Sequence, residues 1–116
     1  MMRRGDLYWV DLDPVRGSEA NRTRPAIIVS NDAANRAVER THRGVVTVVP
    51  VTSNTERILP FQVLLSATDC GLPADSKAQA EQVRSIAPHR LRRRIGALPA
   101  GTVRRLDAAL RTHLAL

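Results

Sequence analysis

Short apolar runs separated by polar turns make up most of the first two thirds of the chain. Each run has the length and the residue types of a β-strand. Four strands are predicted, at residues 7–12, 26–30, 45–52 and 61–66. The second is nearly all apolar and β-branched, which indicates a strand buried on both faces. Short strands joined by polar turns, such as the loop at residues 15–23, predict a small β-barrel.

Helical signatures occur at three places. Asn31 or Asp32 predicts the N-cap of a helix that runs to about Arg40. Near the C-terminus, leucines and a valine recur every three or four positions, which predicts a helix over residues 100–114 that packs against the barrel. Residues 76–86 begin with a capping-box pattern followed by helix formers, so local propensity favours a helix there as well.

Size and apolar pattern predict a single cytoplasmic domain, residues 1–116. The longest apolar stretch, residues 45–51, is far shorter than the roughly 18 residues that a membrane-spanning helix needs. We expect no secretory signal, because Arg3 and Arg4 are not followed by an apolar region. The single cysteine, Cys70, is predicted in a loop; it cannot form an internal disulfide, which fits a reducing compartment.

The formal net charge of +7 is carried almost wholly by arginine, since Lys77 is the only lysine. Guanidinium groups pair with phosphate through fixed forks of donors, so this composition favours a polyanionic partner. Nucleic acid and an acidic protein segment both fit, and nucleic acid is the favoured interpretation. The densest positive run, residues 89–94, is either a solvated basic face or a contact for such a partner.

Two short segments carry the candidate chemistry. Arg24-Pro25 opens one predicted strand, and the sequence PVTS at residues 50–53 closes another. A guanidinium and a hydroxyl held at strand ends suit the binding of a phosphate and of charge that develops on it. The three histidines form no convincing acid–base pair in the sequence, and no His, Cys or Asp cluster has metal-ligand spacing. We therefore expect neither a metal nor another cofactor.

Several segments resemble, in order and spacing, the MazF/PemK family of toxin endoribonucleases. They are RRGDLYWVDLDP at residues 3–14, GSE at 17–19, RPAIIV at 24–29, PVTS at 50–53, DS at 75–76 and EQVRSI at 81–86. The C-terminal helix also fits, so the resemblance spans nearly the whole chain.

The resemblance implies a mainly β protein with helices: an SH3-like small β-barrel, the plasmid-maintenance toxin fold, with a C-terminal α-helix, in a homodimer. It further implies metal-independent cleavage of single-stranded RNA at short sequences, leaving 2′,3′-cyclic phosphate and 5′-hydroxyl ends. A cognate antitoxin with an acidic disordered tail is the implied protein partner. In that fold residues 78–86 are largely strand, so the helix favoured by local propensity is set aside.

Three residues receive catalytic assignments from the resemblance. The family's catalytic arginine falls on Arg24, and its catalytic threonine falls on Thr52. Arg24 stabilises charge on the phosphorane, and Thr52 donates its hydroxyl to a phosphate oxygen. Glu19 matches a glutamate used by some members and is the candidate base for the 2′-hydroxyl proton, with a solvated loop position as an equal alternative.

Four further residues are candidate RNA contacts. Ser53 is a possible second hydroxyl donor, and Asn21 lies in the same loop as Glu19. Gln82 and Arg84 are predicted on one face of an alternating strand, where Gln82 reads a base edge and Arg84 binds a phosphate. The run at residues 89–94 contacts RNA phosphates or the antitoxin tail if it is not merely solvated.

The sequence is compatible with three functions. The leading one is a sequence-selective endoribonuclease toxin that inhibits translation and growth. A non-catalytic toxin of the same fold that inhibits DNA gyrase is the main rival, and a basic RNA-binding barrel without catalysis ranks last. Arg24 together with Thr52 favours the nuclease, because neither alternative explains the pair. Tyr8 and Trp9 are predicted in the core or the dimer interface rather than stacked on bases.

Overall fold

The computed structural model describes residues 1–14 and 16–116, and it contains seven strands and three α-helices in that part of the chain. The strands are β1 Asp6–Asp11, β2 Thr23–Ile28, β3 Val46–Thr52, β4 Gln62–Leu65, β5 Ser76–Gln79, β6 Arg84–Ile86 and β7 Leu91–Ala97. The helices are α1 Asp32–Thr41, α2 Ala67–Cys70 and α3 Ala100–Leu114, and single 3₁₀ turns occur at Ala80–Gln82 and Pro88–Arg90.

All strand pairs are antiparallel, in the order β4-β5-β3-β2-β1-β7, and β6 also pairs with β3. The strand β3 lies at the centre, with β2 on one edge and β6 followed by β5 on the other. Among the described strands, β4 and β7 at the two ends do not pair with each other. The predicted antiparallel β architecture with a C-terminal helix is confirmed, but its hydrogen bonding does not close into a complete ring.

Apolar residues of the central strands divide between two buried clusters. Ile27 and Val49 belong to the first cluster, which α3 covers with Leu106. Ile28 and Val48 belong to the second, which α1 covers with its one apolar buried residue. Because successive side chains of a strand point to opposite faces, a sheet covered on both sides needs apolar residues at every position. This confirms the two-sided burial predicted for the second strand.

The two long helices begin and end close to their predicted bounds. The side chain of Asn31 accepts a hydrogen bond from the Ala34 N–H at 2.8 Å, which caps α1 and contributes about 1 kcal/mol. The helix ends at a left-handed His42, whose N–H donates to the Val38 carbonyl at 2.8 Å. α3 spans the predicted range, and the apolar stripe buries Leu106 while Val103 and Leu110 pack against the same cluster.

The chain between β4 and β7 does not form the helix that local propensity favours, and it forms only in part the strand that the family resemblance implies. Residues 76–86 form β5, a 3₁₀ turn and β6, so the helix is absent there and the strand is interrupted at Ala80–Gln82. Gln82 therefore lies in the turn while Arg84 begins β6, and their predicted place on one alternating strand is wrong. The loop prediction for Cys70 is also wrong: it ends α2 and is only 2% exposed.

The basic run at residues 89–94 is structured for most of its length. His89 and Arg90 belong to a 3₁₀ turn, and the remaining residues begin β7, which pairs with β1. Three consecutive arginines have no apolar alternation, so the hydrophobic pattern gave no indication of this strand. In residues 1–14 and 16–116, no helix combines the length and the apolar character required to cross a membrane.

Candidate active site

Strand register brings the two candidate segments together. β2 pairs with β3 so that Ala26 faces Pro50 and Ile28 faces Val48. The same register continued by two residues places Arg24 opposite Thr52. Their side chains meet: the Arg24 Nη1 donates to the Thr52 Oγ1 at 3.4 Å. Residues that lie 28 positions apart in the chain thus form one cationic, hydroxyl-bearing pair at the end of two buried strands.

Asn21 holds the guanidinium of Arg24. The Arg24 Nε donates to the Asn21 backbone oxygen at 2.8 Å, and Nη2 donates to the Asn21 Oδ1 at 3.1 Å. A guanidinium has five N–H donors, and the contacts with Asn21 and Thr52 use three of them. Two donors, one on each terminal nitrogen, have no partner among the described residues. Asn21 was predicted to contact RNA, and the structure places it as a support for Arg24.

Thr52 is held so that its hydroxyl hydrogen is available. Its Oγ1 accepts from the Arg24 Nη1 and from the Asn54 backbone N–H at 3.3 Å. A threonine hydroxyl has two acceptor lone pairs and one donor hydrogen. Because both lone pairs are occupied, the remaining capacity of the half-buried hydroxyl is to donate. This is the polarity that an anionic ligand requires.

A pocket of about 370 Å³ opens beside this pair. Its lining residues are Trp9, Arg22, Thr23, Arg24, Pro25, Val51, Ser53, Pro73, Ala74 and Ser76. The volume falls within the range of about 300–1,000 Å³ that is usual for small-molecule sites. Ser53 lies in the wall as its predicted role requires. Trp9 belongs to neither core cluster, and its half-buried side chain lines the pocket. The core alternative for Trp9 is therefore wrong, and the dimer-interface alternative stays a prediction.

Other lining residues were not identified from the sequence. Arg22 and Thr23 precede the catalytic candidate directly, and Pro73 and Ala74 come from the turn before β5. The only sequence signal for this turn was the family-like pair at residues 75–76, to which no role was given. Turn residues of this kind have no chemical signature, and only the folded chain shows that they form a wall.

Gln82 and Arg84 bind the chain between β1 and β2. The Gln82 Oε1 accepts the Ala20 N–H at 3.0 Å, and its Nε2 donates to the Ser18 carbonyl at 3.1 Å. The Arg84 Nη1 donates to the Leu12 carbonyl at 3.2 Å. Both side chains therefore fasten the loop that precedes Arg24. Val15, in the same predicted loop, lies outside the described residues.

Glu19 is not part of the Arg24–Thr52 cluster in this structure. It is exposed, and its Oε1 accepts the Arg16 N–H at 3.0 Å within the loop. Its assignment as a base remains a prediction.

The loop after Thr52 is anchored by a buried cation. Lys77, paired with Thr52 across β3 and β5, is 9% exposed and donates from Nζ to the Arg57 carbonyl at 2.7 Å. Gln62 contributes a second anchor, because its Oε1 accepts the Leu59 N–H at 2.9 Å. The single lysine of the chain thus has a structural role that composition did not indicate.

Metal-ligating groups do not converge in the described part of the chain. No three or more His, Cys, Asp or Glu side chains within residues 1–14 and 16–116 are placed to hold one ion. The donors at the candidate site are a guanidinium and hydroxyls, which bind anions rather than cations. The residues present fit an oxyanion ligand.

Comparison with known proteins gives consistent results. Residues 3–114 match the family described as PemK-like, MazF-like toxin of type II toxin-antitoxin system. Endoribonuclease MazF9 of Mycobacterium tuberculosis (strain ATCC 25618 / H37Rv) is 62% identical over 116 residues, covering 100% of this chain and 98% of that protein.

Solved structures share the fold over nearly the full length. MazF (Form-I) from Deinococcus radiodurans has a TM-score of 0.82 at 26% identity, covering 99% of this chain and 97% of that chain. An endoribonuclease in complex with its cognate antitoxin, from Mycobacterial species, has a TM-score of 0.78 at 27% identity, covering 100% and 97%.

Proposed function

Because the chain belongs to the PemK-like, MazF-like toxin family of type II toxin–antitoxin systems, we propose that it is an endoribonuclease whose cleavage site is the Arg24–Thr52 pair. The observation that carries this proposal is the 3.4 Å contact between two side chains that both retain unused donors, one of which, Arg24, lines the adjacent pocket. The 62% identical relative is named an endoribonuclease, which supports the same reaction here.

The proposed reaction is a transesterification within the RNA. The 2′-oxygen attacks the adjacent phosphorus, the bond from phosphorus to the 5′-oxygen breaks, and the products are a 2′,3′-cyclic phosphate and a 5′-hydroxyl. Negative charge develops on the non-bridging oxygens during this step. The two free N–H donors of Arg24 and the hydroxyl of Thr52 stabilise that charge, without requiring a metal ion.

Two protons must move during this reaction. One leaves the 2′-hydroxyl, and Glu19 is the proposed acceptor. The Glu19 carboxylate now accepts the Arg16 N–H, so it reaches the pocket only if the loop at residues 16–22 rearranges around the RNA. The other proton is taken from solvent water by the leaving 5′-oxygen. Arg24 is a poor donor for it, since a guanidinium holds its protons strongly and stays charged in proteins. We assign Arg24 to charge stabilisation.

Partners follow from the same proposal. A structural neighbour is an endoribonuclease in complex with its cognate antitoxin, and we propose an antitoxin with an acidic tail that occupies the RNA site of this protein in the cytoplasm. A homodimer is supported by exposed apolar side chains: Leu64 on the edge strand β4 is 54% exposed, and Leu114 at the end of α3 is 49% exposed.

The test compares one RNA with the same RNA carrying a single 2′-deoxy substitution at the cut position, both with chelator present. We expect cleavage of the first alone, with cyclic phosphate ends. Arg24→Ala is expected to lower the single-turnover rate by about 10²-fold to 10³-fold, since it removes a preorganised donor. Cleavage that chelator abolishes, an Arg24→Ala protein of full activity, or inhibition of gyrase supercoiling without RNA cleavage would each reject the proposal.

A further inference from the structure

The arginines of the basic run do not share one environment. Arg90 donates to the Asp11 carbonyl at 3.2 Å and also to the Asp13 carbonyl. Arg92 donates to the His89 carbonyl at 2.8 Å and lies 3.4 Å from the Asp11 carboxylate. These two arginines fasten the end of β1 to the turn before β7, and part of their hydrogen-bond donor capacity is used in that contact.

Arg94 is committed to a buried carboxylate. Its Nη2 lies 3.3 Å from the Oδ1 of Asp6, whose side chain is 7% exposed. The hydrogen bond to Asp6 is the main reason that the pKa of Arg94 is raised above its ordinary value. Arg93, in contrast, is exposed, and its side chain makes no hydrogen bond or ion pair with any of residues 1–14 and 16–116.

A β-bulge sets Arg93 apart from its neighbours. In the pairing of β1 with β7, Tyr8 faces Arg94 and Val10 faces Leu91, with a register shift between them. Trp9 alone is therefore opposed by two residues, Arg92 and Arg93. Such a bulge redirects a side chain relative to a regular strand, and bulges recur beside functional sites.

The bulge borders a second pocket, which we call the Arg93 pocket. Its volume is about 400 Å³, and it is lined by Trp9, Gly71, Leu72, Pro73, Arg93, Arg94 and Ile95. Trp9 and Pro73 also line the pocket at Arg24. The two pockets are thus neighbours that share Trp9 as a wall, and each is lined by two arginines: Arg22 and Arg24 in the first, Arg93 and Arg94 in the second.

Building on the proposed function, we propose that the Arg93 pocket binds a second phosphate of the RNA strand, next to the scissile phosphate at Arg24. A single strand alternates phosphates with bases. Two cationic pockets on either side of an aromatic wall match that alternation, with a base stacked on Trp9. An acidic antitoxin segment would use the charge of Arg93 but gives no reason for the shared aromatic wall, so RNA is the favoured ligand.

The experiment measures binding of RNAs that carry a 2′-deoxy nucleotide at the cut position, so that they bind without being cleaved. A minimal RNA spanning the cut is compared with RNAs extended on the 5′ side or on the 3′ side. We expect Arg93→Ala to weaken the binding of one extended RNA by about fivefold and to leave the binding of the minimal RNA unchanged. The slope of log affinity against log salt for that RNA should fall by about 0.7, the value for one phosphate contact on a single strand.

Two variants serve as controls. Arg104→Ala removes the same charge from an exposed position on α3. It should change the salt slope for the minimal and the extended RNAs less than Arg93→Ala changes the slope for the affected extended RNA. Arg93→Lys keeps the charge and should retain most of the slope. Thermal unfolding of each variant checks that the fold is intact.

Several outcomes would overturn the inference. Equal effects of Arg93→Ala and Arg104→Ala would show a general charge effect, and equal loss on minimal and extended RNAs would place Arg93 at the cut itself. Unchanged RNA binding with weaker binding of a polyglutamate peptide would assign the pocket to an acidic protein. If the unmodified protein cleaves RNA in any of these cases, only this inference fails; if it neither binds nor cleaves RNA, the proposed function fails with it.

Discussion

Arg24, which lines the pocket, and Thr52, which contacts Arg24, both have part of their hydrogen-bonding capacity already used. Asn21 fixes the guanidinium plane through two bonds, and the Asn54 N–H occupies the second lone pair of the Thr52 hydroxyl. Donors that are fixed before the ligand arrives cost no reorganisation during the reaction. The residue-scale consequence is that geometry at this site depends on neighbours in the chain as much as on the two residues themselves.

Thr52→Val tests the role of the hydroxyl with little change in shape. It removes the proposed donor to the phosphate and the acceptor for the Arg24 Nη1, while both contacts of Arg24 with Asn21 remain. We therefore expect the single-turnover rate to fall about 10²-fold with little change in RNA affinity. Thr52→Ser keeps the hydroxyl and should restore most of the rate. If the Thr52→Val protein cleaves RNA as fast as the Thr52→Ser protein, the Thr52 hydroxyl has no part in the mechanism.

At the scale of elements, the loop before β2 is held by the turn between β5 and β6. Gln82 binds two backbone groups of this loop and Arg84 binds a third, just after β1. Asn21, which orients Arg24, follows Ala20 directly. The structure therefore connects Gln82 to the candidate site at Arg24 through the loop backbone, whereas the sequence suggested that Gln82 reads a base.

Gln82→Ala separates these two interpretations. If Gln82 positions the loop, cleavage should slow by about fivefold on every RNA sequence tested, because a hydrogen-bonded anchor contributes about 1 kcal/mol. Cleavage rates on a panel of RNAs that differ at each position around the cut provide the measurement, and Gln82→Glu, which keeps the acceptor for the Ala20 N–H, serves as the partial-rescue control. A loss confined to RNAs with one particular base would support base reading instead.

For the whole molecule, one face shows the features of a subunit contact. β4 is an edge strand, and its exposed Leu64 shares a hollow of about 500 Å³ with α3 residues that include Ala108 and Thr112. Exposed edge strands with large apolar side chains are unusual in monomers, because they promote pairing with other chains. This face is the proposed dimer contact.

Leu64→Glu is expected to convert the proposed dimer into a monomer, since it places a charge in the apolar contact. Sedimentation equilibrium should then report about half the apparent mass, with an unchanged fold by circular dichroism. Val45→Glu is the matched control, because Val45 is similarly exposed at 53% but precedes β3 rather than lying on the edge strand. Equal dissociation by both variants would place the contact elsewhere.

Part of the fold and part of the candidate site could be predicted from the amino-acid sequence. Apolar runs located the first four strands to within three residues at each end, and the leucine stripe gave α3 its observed bounds. Arg24 and Thr52 were singled out because a guanidinium and a hydroxyl stood at strand ends and because the family resemblance placed catalytic residues there; their role stays a prediction. The strand and helix predictions succeeded because each depends on properties of residues that are close together in the chain.

Tertiary pairing decided the rest. Residues 76–86 have helical propensity, yet they form β5 and β6, which pair with the edge of β3. The inter-strand hydrogen bonds outweigh the local preference for a helix. Likewise, four arginines at residues 90–94 are equivalent in sequence, and only the bulge opposite Trp9 distinguishes Arg93 from those that bind aspartates or carbonyls. The sequence alone thus determined the first four strands, the two long helices and the chemistry that is available. Contacts between distant segments determined which groups remain free to act.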